Sequence, residues 1–582
     1  VFGRTFTARF FSGLQRFPET LLFCTATVIV LIFLNHGTSG ANAELGENLK
    51  RLAAVLALGI PLSLCIKIFF ERAPFLKMPI KILVYLAAGA GLVLYYLFLL
   101  QDFNMVSVSR YVAISLALYL AFTFIPYFYR RPNYELYMIK LFISFLVTYL
   151  YAAILFGGLS AILATINYLF SANIPGALYL DIGLVVAGIF APAFFLAEIP
   201  AGDLDFEPQS YPKVLFVLLS YIVIPLIMAY CAILYAYFAK ILVTRQWPEV
   251  MVSHLVLWYA LISTLVIFCT YPLRQANRWI KTFIAYFPKL ILPLLAMMFI
   301  AMGIRINAYG ITENRYFVLA AGLWVTGSML YLIISKEPRN VYLPASLALV
   351  AMLSVCGPWS SYSVSVLSQN RRFEKIAAAH NLVQNGKIIT PDEDLPEDAR
   401  RELSSIILYF ERYHALEELR TLPEGFTTDR MEALLGFPLS PEYEFPGIKE
   451  SYFSHTVNAA EAFWDISGFD YFMQFSPEIE PASSYHEDNF EISYSPEDHQ
   501  LQIISRDELV YRENIAEMAI QLHRENAERD LLAKDEMTFL DRRGNLQVLY
   551  IFKHIDGMED KSTGEVTIDY LDFYLFVSLE PE

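Results

Sequence analysis

Eleven long apolar runs alternate with short polar breaks over the first 360 residues, near 18–35, 52–70, 79–100, 110–128, 138–169, 177–197, 214–239, 250–272, 285–304, 316–335 and 342–359. A helix needs roughly 20 mainly apolar residues to cross a hydrocarbon layer about 30 Å thick. The pattern therefore predicts a polytopic helical membrane bundle of about eleven spans over residues 1–360. Past residue 360 the runs stop and periodicities take over. Leu403, Ile406, Ile407, Phe410, Tyr413, Leu416 and Leu419 recur at helical spacing, so DARRELSSIILYFERYHALEELR predicts one long helix, preceded by a helix over FEKIAAAHNLV. NGKIITPDEDLPED, with its Gly and Pro, connects them. Residues 361–440 thus form a helical neck.

Over 441–582 the period drops to two. NFEISYS and HQLQIIS alternate across a polar SPED turn, EMTFLDRRGNLQVLYIFKHI predicts a hairpin about Arg543-Gly544, and EVTIDYLDFYLFVSL is β-branched and aromatic throughout. RENIAEMAIQLHRENAERD between them predicts a charged amphipathic helix. The predicted fold class is mainly α: a membrane bundle followed by an α+β part with a mostly antiparallel sheet.

Charge sharpens this division. The whole chain has a mean hydropathy of +0.44 and only 17% charged residues, where about 25% is usual for a soluble protein. Residues 1–360 hold 24 basic and 14 acidic side chains, whereas 361–582 hold 19 and 44, a net −25. So acidic a soluble part argues against nucleic acid as a partner, because neutralising phosphates takes clustered Lys and Arg. The five cysteines all lie in apolar runs, which leaves the soluble part with neither a disulfide framework nor a Cys metal site.

Basic residues in the short loops divide 17 to 7 between the two sides, and by the positive-inside rule the richer side is cytoplasmic. This predicts a cytoplasmic N-terminus and, with an odd number of spans, an extracytoplasmic C-terminal domain. The acidic loop AEIPAGDLDFEPQSYPK, 197–213, is the place where a span is most easily miscounted. Cytoplasmic loops are short, and no GxxxxGK[ST] is present, so no nucleotide-driven motor is expected.

Candidate chemistry is sparse. Seven histidines lie beyond residue 360, none in HxH or HExxH spacing, and no GxSxG or DxDxDG occurs. No catalytic residue, cofactor or metal site is predicted. Ionisable groups at the membrane are costly and so mark candidates. Asp181, a turn inside the apolar run GALYLDIGLVV, is placed to carry a proton or a cation, or to sit at the interface as Lys240 and His254 do. Arg305, Tyr309, Glu313 and Arg315 crowd RINAYGITENRY, between the ninth and tenth spans. Gly310 supplies a bend there, Thr312 is placed to cap the next helix, and Glu313 suits the positive end of its dipole. The two arginines suit an ion pair with Glu313, docking of the acidic domain, or an anionic ligand.

At YGITENRY, Tyr309–Tyr316, followed by an apolar helix with Trp324, the chain resembles a bacterial family of multi-pass membrane proteins of the domain-of-unknown-function 4153 type. The resemblance extends to LVQNGKII and RRELSSIILYFERYHALEEL. It implies a bacterial envelope protein in the inner membrane and brings no catalytic residues. Three functions are compatible: a non-enzymatic sensing, assembly or partner-binding protein in contact with membrane lipids or an envelope protein; a transporter or lipid-handling protein with a polar site at its outer face; or an enzyme like the lipid-linked-sugar glycosyltransferases, with Glu44 and Glu47 as its acids.

Overall fold

The structure, a computed structural model, describes residues 12–579 except 38–42, 128–132, 173, 201–210, 246–250, 385–386, 390–394, 424, 440–449, 458–465, 467, 477–483, 488–489, 497, 507, 528 and 561–564. Part of the acidic 197–213 loop lies outside the described residues. The chain divides into two compact units, 1–444 and 445–582.

Among the described residues of the first unit, ten helices are long and apolar enough to cross a membrane: α1 (Pro18–His36), α2 (Leu45–Arg72), α3 (Met78–Leu99), α4 (Met105–Tyr127), α5 (Tyr134–Phe170), α6 (Gly176–Glu198), α7 (Lys213–Thr244), α8 (Ser253–Gln275), α9 (Arg278–Tyr309) and α10 (Glu313–Ile334). The eleventh expected span is shorter than its composition suggested. Helix α11 (Tyr342–Val355) has 14 residues, about 21 Å at 1.5 Å per residue. Gly357, at φ 82°, and Pro358 end the apolar run in a turn. The chain nevertheless returns along the full α10 hairpin. Arg339 donates its backbone N–H to the hydroxyl of Tyr331 near one end of α10, and Tyr316 near the other end donates to the carbonyl of Trp359.

Two of the proline interruptions are absorbed locally. A π turn over Val186–Phe190 precedes Pro192 in α6, and another over Leu218–Val223 precedes Pro225 in α7. The wider turn accommodates a ring that has no N–H and would otherwise strike the carbonyl one turn back. Gly157-Gly158 lies inside α5 without a break. The largest bundle core joins α5, α7, α8, α9 and α10 around Ile224, Ile267, Ile291, Leu294, Met298, Val325 and Met329.

The neck has a core of its own. Helix α12 (Ser361–Ala379) presents Phe373 and Ala377, and α13 (Glu397–Tyr413) presents Leu403, Ile406, Ile407 and Phe410. The short helix α14 (Met431–Leu435) closes it with Met431 and Leu435. A two-residue ladder, β1 (Val383–Gln384) with β2 (Lys387–Ile388), takes up part of the predicted connection.

Among its described residues the second unit holds two sheets and one α-helix. The four-stranded sheet is an antiparallel meander of β5 (Ser484–Glu487), β6 (Phe490–Ser495), β7 (Gln500–Ser505) and β8 (Glu508–Asn514). Helix α15 (Ile515–Asn526) follows. The six-stranded sheet contains β3 (Glu450–Val457), β4 (Tyr471–Phe475), β9 (Leu531–Leu532), β10 (Thr538–Arg543), β11 (Leu546–Asp560) and β12 (Glu565–Leu579). The predicted hairpin is β10 and β11. Strand β11 pairs first with β10 and then, past His554, with β3, while β12 runs along its other side. Strand β9 is parallel to β3, the exception in an otherwise antiparallel pattern. Tyr550, Phe552, Phe573 and Leu575 from the two long strands meet Leu501, Ile503, Ile515 and Ala519 in the core.

Candidate functional site

The junction between α9 and α10 is built around one glycine. Gly310 stands at φ 69° and ψ −178°, a region open only to glycine. Its own N–H still closes the last turn of α9 on the carbonyl of Ile306. A β-carbon at this position would come within 2.9 Å of the Gln369 amide nitrogen. That nitrogen is held in place because it donates to the carbonyls of Tyr309 and Ile311, both at 3.1 Å. Ser368 accepts the N–H of Ile311 at 2.8 Å. The bend is therefore stitched to α12 by groups that no periodicity in the sequence points to.

Thr312 occupies the cap position of α10 with extended backbone, but its side chain makes no capping bond. The expected capping hydroxyl is idle, and the carboxylate beside it has another task. Glu313 is 2% exposed. Tyr409 of α13 donates to it, its hydroxyl lying 2.7 and 2.9 Å from the two oxygens, and His414 Nε2 lies 2.9 Å from Oε1. An unpaired buried carboxylate would cost several kcal/mol; two donors and the N-terminal end of a helix dipole offset that cost. Burial and the adjacent carboxylate push the Tyr409 phenol well above its ordinary range, so it stays a donor. His414 can serve only because α13 is shorter than its apolar stripe predicted. The helix ends at Tyr413, His414 turns to φ −137° and ψ −149°, and Leu416–Glu418 forms a single 3-10 turn.

The arginines do not pair with Glu313. Arg315 donates to the carbonyls of Tyr309 and Gly310, at 3.1 and 2.7 Å, and so covers the negative end of α9. Its guanidinium also lies 5.6 Å from the Tyr309 ring, which Arg372 of α12 approaches to 5.8 Å. Tyr309 thus holds two arginines through its ring and both through its carbonyl, to which Arg372 donates at 3.5 Å. Arg305, one turn earlier on α9, is partly exposed and makes no hydrogen bond or ion pair among the described residues. Arg372 pairs with Glu402 of α13 at 3.2 Å. Burial lowers its pKa from the usual guanidinium value, with Glu402 opposing that shift.

Beside this junction an open cleft of about 850 Å³ lies between the last turns of α9, one face of α12 and the start of α13. Arg371, Arg372 and Lys375 line it opposite Asp398 and Glu402. Among the candidates named from the sequence, Tyr309, Glu313 and Arg315 are brought together. Asp181 is elsewhere, in the first turns of α6, where Asn35 donates to it at 2.9 Å and His36 Nε2 lies at 2.6 Å. It is held by the end of α1 rather than standing alone. Glu47 is exposed on α2, and the Glu44 side chain lies outside the described residues. Among the described residues no group of three His, Cys, Asp or Glu is placed to hold a metal ion.

Fold and site together define a multi-pass helical membrane protein with a neck locked to the bundle and a strand-rich C-terminal unit. The chain belongs to the family described as Domain of unknown function (DUF4153), which it matches over residues 22–385. It is also similar to the uncharacterized protein PM1469 of Pasteurella multocida (strain Pm70), 25% identical over 289 residues. That match spans 47% of either chain. No solved structure matches.

Proposed function

We propose that this is a non-enzymatic envelope protein of the bacterial inner membrane. Its strand-rich unit, on the extracytoplasmic side, binds a polypeptide partner while the bundle anchors it. The observation that carries this reading is the charge of a self-contained module. Residues 445–582 have their own core and hold 29 acidic against 10 basic side chains. A field of that sign attracts basic surfaces, repels anionic lipid, and speeds association in a way that salt screens. The buried Glu313, Tyr409 and His414 cluster supports the same reading, because it makes the neck a stiff part of the anchor. A sensing or assembly protein needs its binding module held by something that does not yield.

The test is photo-crosslinking in cells from the full chain, with the crosslinker placed at the exposed positions Glu517 and Glu525 of α15. A discrete polypeptide product that fades as ionic strength rises is expected. The absence of any polypeptide product from either position would overturn the proposal.

A further inference from the structure

The cleft beside α9 has two kinds of wall. Toward the neck it is cationic: Arg371 and Lys375, one helical turn apart on α12, are exposed and make no ion pair among the described residues. Arg372 turns inward between them, 12% exposed, with one terminal nitrogen on Glu402 and the other on the Tyr309 carbonyl. Its Nε is buried and has no hydrogen-bond partner. Arg305 and Arg315 add positive charge at the same end of α9, whereas Glu313 is consumed by Tyr409 and His414. Among the described residues, Asp398 and Glu402 are the carboxylates that line the cleft, fewer than the cations around it.

Toward α9 the cleft is mostly apolar, with Asn307 as the polar lining residue on that side. Ile306 and Ile376 line it, and at Gly303 a β-carbon would meet nothing within 4 Å. Ile300 and Ile304, on the membrane-crossing part of α9, are 51% and 46% exposed on either side of that glycine. The cationic wall therefore sits where a span leaves the hydrocarbon, and an apolar track leads down from it. The volume lies within the range of about 300–1,000 Å³ typical of sites for small ligands.

We propose that this cleft binds a phosphate-bearing anion, and that the apolar track makes an anionic phospholipid its source: the phosphate accepts from Arg371 and Lys375, with the Arg372 guanidinium between them adding to the positive field, while an acyl chain lies along Ile304, Gly303 and Ile300. Basic residues at a membrane surface favour anionic headgroups.

The experiment uses the purified full chain in detergent and measures binding of dioctanoyl phosphatidylglycerol, dioctanoyl phosphatidylcholine and inorganic phosphate by native mass spectrometry and calorimetry. Phosphatidylglycerol is expected to bind better than phosphatidylcholine. The double variant Arg371→Gln, Lys375→Gln, which removes two exposed charges and leaves the Arg372–Glu402 pair intact, is expected to weaken it by roughly ten- to thirty-fold. Asp398→Asn should strengthen it, a gain that misfolding cannot imitate. Inorganic phosphate that displaces the lipid at millimolar concentration assigns recognition to the phosphate group alone, and lipid binding that phosphate does not disturb assigns it to headgroup and chain together. Equal binding of the two lipids with no binding of phosphate, or a double variant that binds like the parent, would overturn the proposal.

Discussion

Tyr409 donates its phenolic hydrogen to Glu313 across 96 positions of sequence, at 2.7 Å, and in doing so joins the neck to the first turn of the tenth long apolar helix. The contact lies inside the protein, so it is unscreened and its loss cannot be repaired by water.

Tyr409→Phe keeps the ring packing and removes the donor to a charged group. A loss of about 1.5–3 kcal/mol is expected, read as a lower midpoint of thermal unfolding for the purified protein. Double variants with His414→Ala should lose less than the sum, because both donors serve one carboxylate. Strict additivity would show that the three groups do not act as a cluster.

Gly310→Ala places a β-carbon in a backbone region that L residues avoid, against the Gln369 amide. The conformational part alone costs on the order of 1–3 kcal/mol. Measured against Gln369→Ser alone, which itself loses the donors to the Tyr309 and Ile311 carbonyls, Gly310→Ala should lose its steric part and cost only the backbone part. No cost of Gly310→Ala in that background would place the whole penalty in the collision.

For Arg315→Ala the expected change is local. The carbonyls of Tyr309 and Gly310 lose their cover, and limited proteolysis should cut earlier within 305–312 than in the parent. A digestion pattern identical to that of the parent would mean that Gln369 and Ser368 hold the bend without help.

Acid should weaken the strand-rich unit through two buried histidines. His455 Nδ1 donates to the Arg529 carbonyl at 2.8 Å, which leaves its Nε2 to accept from His523 Nδ1 at 2.9 Å. Burial lowers both pKa values, with mutual repulsion adding to the effect at His523 and Glu559, 3.6 Å away, opposing it. A base whose folded pKa lies below its unfolded value of about 6.5 binds fewer protons when folded. Its contribution is therefore fully present above about pH 6.5 and is lost as pH falls toward the folded pKa. Amide exchange in β3 and α15 of the full chain should accelerate between neutral pH and pH 5 beyond the intrinsic pH dependence of exchange. His523→Gln should flatten that response.

Orientation has its own measurement. With Cys356, which is exposed, replaced by Ser, a cysteine introduced at Leu509, 55% exposed on β8, should react with a membrane-impermeant thiol reagent in spheroplasts. Protection until the membrane is opened would put the strand-rich unit on the cytoplasmic side.

Much of the architecture was legible because it rests on local pattern. Runs of about twenty apolar residues define α1 to α10, alternation defines β6, β7, β11 and β12, and a stripe at helical spacing defines α13. Strands β3 and β4 were not anticipated, since ESYFSHTV and YFMQF have no hairpin neighbour in sequence and their partners lie about a hundred residues away. Length was misjudged where a break depends on contacts. Gly357-Pro358 stops α11 inside an apolar run, and α13 stops at Tyr413 where His414 turns to Glu313.

What the chain determines by itself is which segments leave water and which stay in it, because transfer of apolar area depends on composition and needs no knowledge of neighbours. It also marked YGITENRY as a stretch where charge sits against a span. Only the tertiary structure decided how that charge is spent: Glu313 on Tyr409 and His414, Arg315 on the carbonyls of a helix end, and Arg372 on Glu402 and the Tyr309 carbonyl. Those assignments rest on hydrogen-bond geometry between residues dozens of positions apart, and no local pattern encodes it.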